Sequence, residues 1–347
     1  MARRKIREYD AKQLLAEHLS KDGISIEWKG ILVSPDTDLA ALPKHYPWLL
    51  TESLVVKPDQ LFGKRGKLGL ISVNCSFEKA KEFINTHRTT KTSIGKATDK
   101  LTHFLIEPFV HHEKEYYLSF TSERDGTSIY FSTQGGIEVE ENWNKVKKCF
   151  IPTLESPAEK TIKELLNEVP LKQKNNISSF ITAVLKFYQN LDFTYLEFNP
   201  FTIDEHNHIH ILDTVAQVDD CAAFQHTKEW KNLNFPKAFG QKSFQEEEFI
   251  ESIDKESGAS LKLTILNQNG RIWNILSGGG ASIIYLDTIA NLEKQDEIAN
   301  YGEYSGNPTT EESYQYAKTI VDLMTREHHP QGKILIIGGA IANFTDV

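Results

Sequence analysis

The sequence predicts an α/β protein with more than one domain. Beyond residue 244, short apolar runs alternate with helical patterns, which is typical of a doubly wound parallel sheet. Residues 231–243 lack periodicity and contain Pro236 and Gly240, so we expect a linker there. A chain of 347 residues is also longer than one hydrophobic core usually supports, which favours two or three domains.

The N-terminal part combines one helix, short strands and a basic loop. Residues 8–18 have the apolar periodicity of an amphipathic helix. Apolar runs at residues 31–33 and 54–57 predict strands. The glycine-rich residues 63–69 predict a loop, and we expect a further strand at residues 70–73.

The middle of the chain predicts antiparallel strands around one long helix. The expected elements are strands at residues 104–110 and 115–120, a helix at residues 178–190, and a hairpin with strands at residues 193–201 and 208–215. A polar turn at residues 204–207 joins the hairpin strands.

The last hundred residues predict alternating strands and helices. Three apolar runs predict the strands: residues 261–266, 272–276 and 334–337. The helix expected at residues 311–326 begins with a capping-box pattern, Thr309 and Glu312. The chain stops where a helix should follow the last strand, so we expect a fragment or one subunit of a larger assembly.

Charge and composition argue against several classes of function. The formal net charge of −9 disfavours general binding to nucleic acid or to a membrane surface. No apolar run approaches the ~20 residues that span a bilayer, and the basic N-terminus lacks the apolar region of a secretory signal. The three cysteines, Cys75, Cys149 and Cys221, are scattered without metal-ligand spacing. We therefore expect a cytoplasmic protein.

Glycine-opened turns predict an anion site in the C-terminal part. Ser277 leads into three consecutive glycines, and an apolar strand leads into Gly338 and the polar residues up to Thr345. A third glycine turn contains Gly306. Free N–H groups at the start of a helix favour an anion, and Asn343 could add a side-chain bond. Such turns are also routine in α/β domains, and that alternative stays open.

A second candidate site combines Lys57 with the loop at residues 63–69. Lys57, at the end of a strand, offers a point charge to a phosphate, and Arg65 can add another. Glycines in the loop allow backbone N–H groups to approach phosphate oxygens. The loop has no Walker A spelling, and a solvated surface turn is the alternative.

Residues 107–110, Glu-Pro-Phe-Val, resemble a hinge between two strands. Backbone groups of such a hinge could bind the edge of an adenine while Phe109 packs against it. Glu115 could accept hydrogen bonds from ribose hydroxyls. The alternative is an ordinary strand connection with a surface glutamate.

The hairpin predicts a magnesium site. Tyr195, Glu197 and Asn199 alternate along one strand and therefore share a face, and Asp213 returns on the partner strand. Amide and carboxylate oxygens suit Mg²⁺, which typically takes one or two protein ligands beside phosphate oxygens. Asn-Pro is also a common strand terminator and Asp213 could face solvent, so both interpretations stay open.

Taken in this order, these features resemble the ATP-grasp fold of acyl-CoA synthetases, and more closely ATP-citrate lyase. The similar strings are residues 54–60, 65–70, 104–110, 193–200, 257–263, 278–281, 300–306 and 338–345. The resemblance implies an ATP-grasp domain at residues 1–240, with an inner subdomain at about residues 21–109. It implies a flavodoxin-like, doubly wound parallel α/β citrate-binding domain at residues 241–347, truncated at its C-terminus.

The resemblance also implies which positions bind ligands. ATP would be bound by Lys57, Arg65 and Gly66 at the phosphates, Pro108 and Val110 at the adenine, and Glu115 at the ribose. The nucleotide's Mg²⁺ would be bound by Asn199 and Asp213, and a further cation by Asp254, Ser257 and Ala259. Citrate would be bound by Gly279, Gly280, Ala281, Ser305, Gly306, Asn343, Phe344 and Thr345. The family usually has lysine where Gln217 stands.

The implied reaction converts ATP, citrate and CoA to ADP, phosphate, acetyl-CoA and oxaloacetate. It passes through a phosphohistidine, citryl phosphate and citryl-CoA. The family's phosphohistidine lies in a Gly-His-Ala loop, and none of the twelve histidines has that setting. The resemblance therefore assigns no catalytic residue here. It implies a partner, either a large subunit or a C-terminal segment, with the phosphohistidine loop, the CoA site and a citrate-synthase-like domain.

Three other hypotheses remain at this point. The chain could be the small subunit of a stand-alone citryl-CoA synthetase, which does not cleave its product. Succinyl-CoA synthetase is a weaker alternative, because it shares the citrate-site strings less closely. A non-catalytic assembly or regulatory module is the alternative from another class of function.

Overall fold

The computed structural model describes residues 3–21, 26, 28–95, 97–137, 139, 142–153, 155, 159–241 and 244–339. The chain divides into two compact units, Met1–Gln241 and Lys242–Val347. None of the helices in these described ranges is both long and apolar enough to cross a membrane.

The first unit combines short helices with antiparallel strands. Its elements are β1 (Arg3–Ile6), α1 (Glu8–Lys21), β2 (Ile31–Val33), α2 (Leu42–His45), β3 (Leu54–Pro58), β4 (Ser72–Cys75), α3 (Phe77–Thr89), β5 (Lys91–Ile94), β6 (Ala97–Lys100), β7 (Phe104–Pro108), β8 (Tyr116–Glu123), β9 (Gly126–Ser132), β10 (Lys147–Pro152), α4 (Glu159–Leu165), α5 (Leu171–Asn190), β11 (Phe193–Ile203), β12 (Ile209–Ile211) and β13 (Thr214–Asp219).

Two antiparallel sheets organise this unit. The larger has the order β1-β13-β11-β8-β9-β10, with β12 also on β11, and the smaller has the order β2-β7-β3-β4. Helices α1 and α5 cover the larger sheet with an apolar core that includes Leu15, Phe180 and Phe198. Helix α3 lies against the smaller sheet, where Val56 and Ile84 are fully buried. Each sheet therefore has its own core.

The second unit is a four-stranded sheet between helices. Its elements are α6 (Gln245–Glu256), β14 (Ser260–Ile265), β15 (Ile272–Ser277), α7 (Gly279–Ile289), β16 (Asn300–Ser305), α8 (Thr310–Thr325) and β17 (Ile334–Gly339). The strand order is β14-β16-β15-β17. Strand β15 runs parallel to β16 and β17, whereas the edge strand β14 is antiparallel to β16. An antiparallel edge strand is common on otherwise parallel sheets.

Alternation along β15 explains why helices cover both faces of this sheet. Trp273 and Ile275 point into a core with α6 and α8, which includes Ile320. Ile272 points to the opposite face, where it meets Ile289 of α7. This two-sided arrangement is that of a doubly wound sheet.

Several element boundaries differ from the sequence expectations. The strand expected at residues 70–73 begins only at Ser72, because the N–H of Leu70 bonds to the carbonyl of Arg65 and closes the glycine loop. The second hairpin strand is interrupted at Asp213, which was expected inside it. The N–H groups of Leu212 and Asp213 both bond to the carbonyl of Pro200, at 3.0 and 3.2 Å, so the ladder is locally bulged.

Strand β16 was missed because it is polar. Its first residue, Asn300, is fully buried beside Asn274 of β15. The Asn300 Oδ1 accepts from the Asn274 N–H at 2.8 Å, and the Asn300 Nδ2 donates to the Asn274 carbonyl at 2.9 Å. These amide bonds hold two strands together where the sequence shows no apolar run.

Candidate functional site

A cavity of about 670 Å³ opens in the first unit, between its two larger sheets. The predicted ATP residues Lys57, Pro108, Val110 and Glu115 line it, together with Asp213. One part of the wall is apolar and includes Val55, Ile71, Val73 and Phe109. The size and mixed lining suit a small organic ligand with one apolar and one charged end.

The hinge residues form the apolar part of the wall. The N–H of Phe109 donates to the carbonyl of Ser53 at 2.7 Å, which fixes the chain where β7 ends. His112 bonds to the carbonyl of Val110 at 2.8 Å and to Glu115 at 3.1 Å. Glu115 therefore lies next to the hinge, as its predicted role requires.

The charged end of the cavity adjoins a group of six ionisable side chains, which we call the charge cluster. Its members are Glu8, Lys12, Lys57, Arg65, Glu107 and Asp213. The cluster contains three carboxylates and three cations, so their formal charges cancel. Five of the six are buried, and Asp213 is half-buried.

Glu8 is the centre of this cluster. Its carboxylate lies 2.6 Å from Lys57 Nζ, 2.6 Å from Arg65 Nη2 and 2.8 Å from Lys12 Nζ. Glu107 bridges the two lysines, at 2.8 Å from Lys12 and 3.2 Å from Lys57. Glu8 is therefore the carboxylate that contacts both cations expected to bind phosphate.

Charge pairing outweighs burial at two of these groups. Burial alone would lower the pKa of Lys57, but Glu107 and Glu8 raise it above its ordinary value. Burial alone would raise the pKa of Glu8, but Lys12, Lys57 and Arg65 hold it well below its usual range. Both side chains are therefore ionised at neutral pH.

At Asp213 burial prevails. It raises the pKa of this carboxyl to about 6, although the neighbouring Arg65 acts in the opposite direction. Asp213 also forms an ion pair with Arg65. The only predicted metal-ligating carboxylate at the hairpin is thus also a partner of a predicted phosphate-binding cation.

Asp59 fixes the position of Glu8. The Asp59 carboxylate accepts the N–H groups of Glu8 at 2.9 Å and Tyr9 at 3.1 Å, and so caps the start of α1 from a distant segment. Asp59 directly follows β3, which carries Lys57. The same contact therefore places the first turn of α1 beside the strand of Lys57.

The glycine loop turns one of its basic side chains inward. Arg65 is buried, and its Nη1 donates to the carbonyl of Pro58 at 2.7 Å. Lys64 and Lys67 are exposed, as is Gly66. Lys64 has a φ of 63° and Gly69 a φ of 68°, which close the loop tightly enough to face Arg65 toward the cluster. The structure thus places Arg65 near Lys57, on the same carboxylate, Glu8.

The hairpin brings Asn199 and Asp213 together. The N–H of Asn199 donates to the carbonyl of Asp213 at 3.1 Å, and Asn199 Oδ1 accepts from the N–H of Gly136 at 2.7 Å. The two residues are thus paired across the hairpin, and amide and carboxylate oxygens are ligands that a hard cation prefers. In the part of the chain that the structure describes, no group of three or more His, Cys, Asp or Glu side chains could hold a metal ion by itself.

The second predicted cation position lies at the turn after α6. Asp254 Oδ1 accepts from the N–H of Leu261 at 2.7 Å, and Oδ2 pairs with Lys262 at 2.5 Å. Ser257 Oγ accepts from the N–H of Ala259 at 3.0 Å. The three predicted residues therefore lie close together. A cation bound there would have to displace the Lys262 ammonium from Asp254.

Two glycine turns of the second unit lie side by side. Gly278 has a φ of +89° and precedes α7, and its N–H donates to the carbonyl of Tyr304 at 3.0 Å. A Cβ built on Gly279 would lie 2.8 Å from Glu303 Oε1, the atom to which Ser305 Oγ donates at 3.4 Å. The predicted citrate residues Gly279 and Ser305 therefore share a neighbour. Gly280 and Ala281 lie in the first turn of α7, and Gly306 directly follows β16. Asn343, Phe344 and Thr345 lie outside the described residues.

Comparison with known families identifies both units. Residues 2–230 match the model described as the ATP-citrate synthase ATP-grasp domain, and residues 241–347 match the model of the ATP citrate lyase citrate-binding domain. The chain belongs to the ATP-citrate synthase family. The predicted resemblance and the predicted fold class are confirmed.

Relatives from plants, animals and archaea agree with this assignment. ATP-citrate synthase alpha chain protein 2 of Oryza sativa subsp. japonica is 46% identical over the whole chain, which spans 82% of that relative. ATP-citrate synthase of Bos taurus is 45% identical, and the chain spans 32% of it. ATP citrate lyase of Methanothrix soehngenii, solved with citrate and coenzyme A, has a TM-score of 0.91 and 47% identity over 99% of this chain and 82% of that one.

Sequence reasoning overlooked three residues of the charge cluster and one at the glycine turns. Glu8 and Lys12 lie on the same face of α1 as Leu15 and Leu19. Their i, i+4 spacing on an apolar face was the signal that this charged pair is buried. Glu107 was considered only as part of the hinge. Glu303 carried no signal, because its strand was not predicted.

Proposed function

We propose that this chain supplies the ATP and citrate sites of an ATP-citrate synthase. The complete enzyme would convert ATP, citrate and CoA to ADP, phosphate, acetyl-CoA and oxaloacetate. The observation that supports this most strongly is that both halves of the chain match, in order, the two domains of one family. A cavity lined by predicted ATP residues in the first of them agrees with it.

In this proposal the first unit binds Mg·ATP. Pro108 and Val110 contact the adenine, Glu115 the ribose, and Lys57, Arg65 and Gly66 the phosphates. The apolar hinge and the buried cations line or adjoin one cavity, which supports this orientation of the nucleotide. Catalysis would then rest on positioning and on electrostatic stabilisation of the transferred phosphoryl group.

Asn199 and Asp213 would hold the Mg²⁺ of the nucleotide. The two residues are paired across the hairpin, and their amide and carboxylate oxygens are ligands that this ion prefers, with phosphate oxygens and water completing its shell. When bound, the ion compensates the negative charge of the phosphates. Asp254, Ser257 and Ala259 are proposed as a further cation position.

The second unit would bind citrate at its adjoining glycine turns. Backbone N–H groups of Gly279, Gly280 and Ala281 lie at the start of α7, where a helix favours an anion. Ser305 ends β16 beside them and Gly306 follows it, and Asn343, Phe344 and Thr345 would complete the site.

A partner would supply the remaining chemistry. We assign to it the phosphohistidine loop, the CoA site and the citrate-synthase-like domain that cleaves citryl-CoA, and we place the assembly in the cytoplasm. Alpha-chain relatives and the citrate and coenzyme A complex support a divided enzyme of this kind. A partner without the cleavage domain would make the assembly a citryl-CoA synthetase instead.

Substitution of the predicted Mg²⁺ ligands tests this function. Asn199→Ala and Asp213→Ala should each abolish citrate-dependent release of ADP in a complex reconstituted with the partner. Glu205→Ala is the matched control, because Glu205 is exposed at the turn of the same hairpin. Unchanged ADP release in both Asn199→Ala and Asp213→Ala would contradict the proposed nucleotide site.

A further inference from the structure

Glu8 lies where it contacts both cations assigned to the ATP phosphates. We propose that the Glu8 carboxylate is an internal competitor of the nucleotide phosphates and lowers the affinity of this site for Mg·ATP. The inference rests on the proposed function, because it requires that Lys57 and Arg65 bind phosphate. It adds a residue on α1 that sets how tightly the nucleotide is held.

The hydrogen bonds of Lys57 support competition. Its Nζ donates to Glu8 at 2.6 Å and to the carbonyl of Leu212, and it also pairs with Glu107 at 3.2 Å. An ammonium group has three N–H donors, and all three have partners within the protein. A phosphate oxygen can bond to Lys57 only if one of these partners gives way.

Of Glu8 and Glu107, the two carboxylates that contact Lys57, only Glu8 also contacts Arg65 among the described ion pairs, so its release opens one contact on each cation. Glu107 accepts from Lys12 at 2.8 and 3.0 Å and from Trp28 Nε1 at 2.8 Å, so three bonds besides the Lys57 contact hold it in place. Glu107 also has no contact with Arg65 among the described ion pairs. Glu8 contacts Lys57 and Arg65 through different oxygens, at 2.6 Å each. A phosphate group has the charge and the oxygen spacing to replace it.

Charge balance points in the same direction. The cluster contains three carboxylates and three cations, so it offers an incoming polyanion no net attraction. Without the Glu8 charge, the cluster has two carboxylates and three cations. The one excess positive charge then lies where Lys57 and Arg65 would contact the phosphates. At contact distance, and with the effective dielectric of a partly buried site, the gain in Mg·ATP affinity should be about tenfold or more.

The test is calorimetric titration of the intact chain with Mg·ATP and, separately, with adenosine. We expect Glu8→Gln to bind Mg·ATP at least about tenfold more tightly than the wild type, and adenosine within about threefold of it. Adenosine has no phosphate, so it reports damage to the rest of the cavity. If Glu8 instead only holds Lys57 and Arg65 in position, Glu8→Gln should weaken Mg·ATP binding, because the two cations lose that support.

The double substitution Glu8→Gln with Lys12→Met restores the charge balance and should return the Mg·ATP affinity to near that of the wild type. If Glu8→Gln alone does not fold, the double variant is compared with Lys12→Met, and removal of the Glu8 charge should again tighten binding about tenfold. Equal or weaker Mg·ATP binding on removal of the Glu8 charge, with adenosine unchanged, would overturn the inference. Failure of the wild type to bind either ligand would instead overturn the proposed function itself.

Discussion

Lys57 and Arg65 are 3% and 7% exposed, and each remains charged because carboxylates surround it. A buried ion that loses its partner is far more costly than one at the surface. The charge cluster therefore links the stability of the first unit to the chemistry proposed for it. Substitutions within the cluster should change both the stability of the first unit and its binding of Mg·ATP. Substitutions at exposed charges nearby should change neither.

Arg65→Gln should weaken Mg·ATP binding at least about tenfold, because a charged contact to phosphate is lost. It should also lower the free energy of unfolding of the first unit by about 3–5 kcal/mol, because Glu8 and Asp213 lose a buried partner. Lys64→Gln is the matched control, since Lys64 is adjacent and exposed. Calorimetry and urea denaturation give the two quantities. An Arg65→Gln protein with wild-type affinity for Mg·ATP would rule out the predicted role of Arg65.

Asp10 should make the stability of the first unit depend on pH. Burial and the nearby Asp59 charge raise the pKa of Asp10 to about 7, and its Oδ2 has no hydrogen-bond partner. The ordinary value is 3.8, so between about pH 4 and 7 the folded state binds more protons than the unfolded state. The contribution of this group to stability is therefore largest below pH 4, falls as the pH rises to about 7, and is constant above it.

Asp10→Asn removes this dependence. The variant should be more stable than the wild type at pH 8, by at most about 4 kcal/mol, and the difference should shrink as the pH approaches 4. Urea denaturation at pH 5, 6, 7 and 8 measures it, with Asp36→Asn as a control at an exposed site. A difference that does not vary with pH would show that Asp10 is already ionised throughout.

Among the elements, those with local signals were predictable. Helix α1 begins at Glu8 and β2 spans Ile31–Val33, as expected, because their apolar periodicity agrees with their packing. The capping box of α8 is present, with Thr309 and Glu312 bonded to each other's backbone. Three strands of the second unit were also found, within one or two residues of their ends.

Elements and contacts that depend on distant residues were not predictable. Strand β16 is held by buried amide bonds between Asn300 and Asn274, which no hydrophobic pattern reveals. Glu8 meets Lys57 because Asp59 caps α1, an arrangement that joins segments about fifty residues apart. The sequence therefore indicated Lys57 and Arg65 as candidate phosphate-binding cations. It did not indicate that Glu8 and Glu107 lie beside them.

At the scale of one helix, Thr309→Ala should destabilise α8. Thr309 Oγ1 accepts from the N–H of Glu312 at 3.2 Å, and Glu312 accepts from the N–H of Thr309 at 2.7 Å. Loss of such a cap costs about 1 kcal/mol. Hydrogen exchange of the first-turn amides of α8 should speed up about fivefold, while Thr310→Ala, one residue later, serves as the control. Unchanged exchange in Thr309→Ala would show that packing alone holds the helix end.

For the whole molecule, the two units carry different parts of one proposed reaction. The first contains the cavity, the charge cluster and the hairpin oxygens, and the second contains the adjoining glycine turns. The chain spans 82% of the alpha-chain relative from rice and 32% of the relative from cattle. Under the proposed function, complete turnover requires the phosphohistidine loop, the CoA site and the cleavage domain that we assign to a partner.

The central claim is that one chain binds both Mg·ATP and citrate, and calorimetric titration tests it most directly. We predict that citrate binds at one site per chain and that succinate, which lacks the third carboxylate and the hydroxyl, binds at least about tenfold more weakly. Mg·ATP should bind at a separate site, with a stoichiometry unaffected by citrate. Citrate binding that succinate matches, or no binding of citrate beside normal Mg·ATP binding, would contradict the citrate site. Failure of both ligands to bind would contradict the whole account.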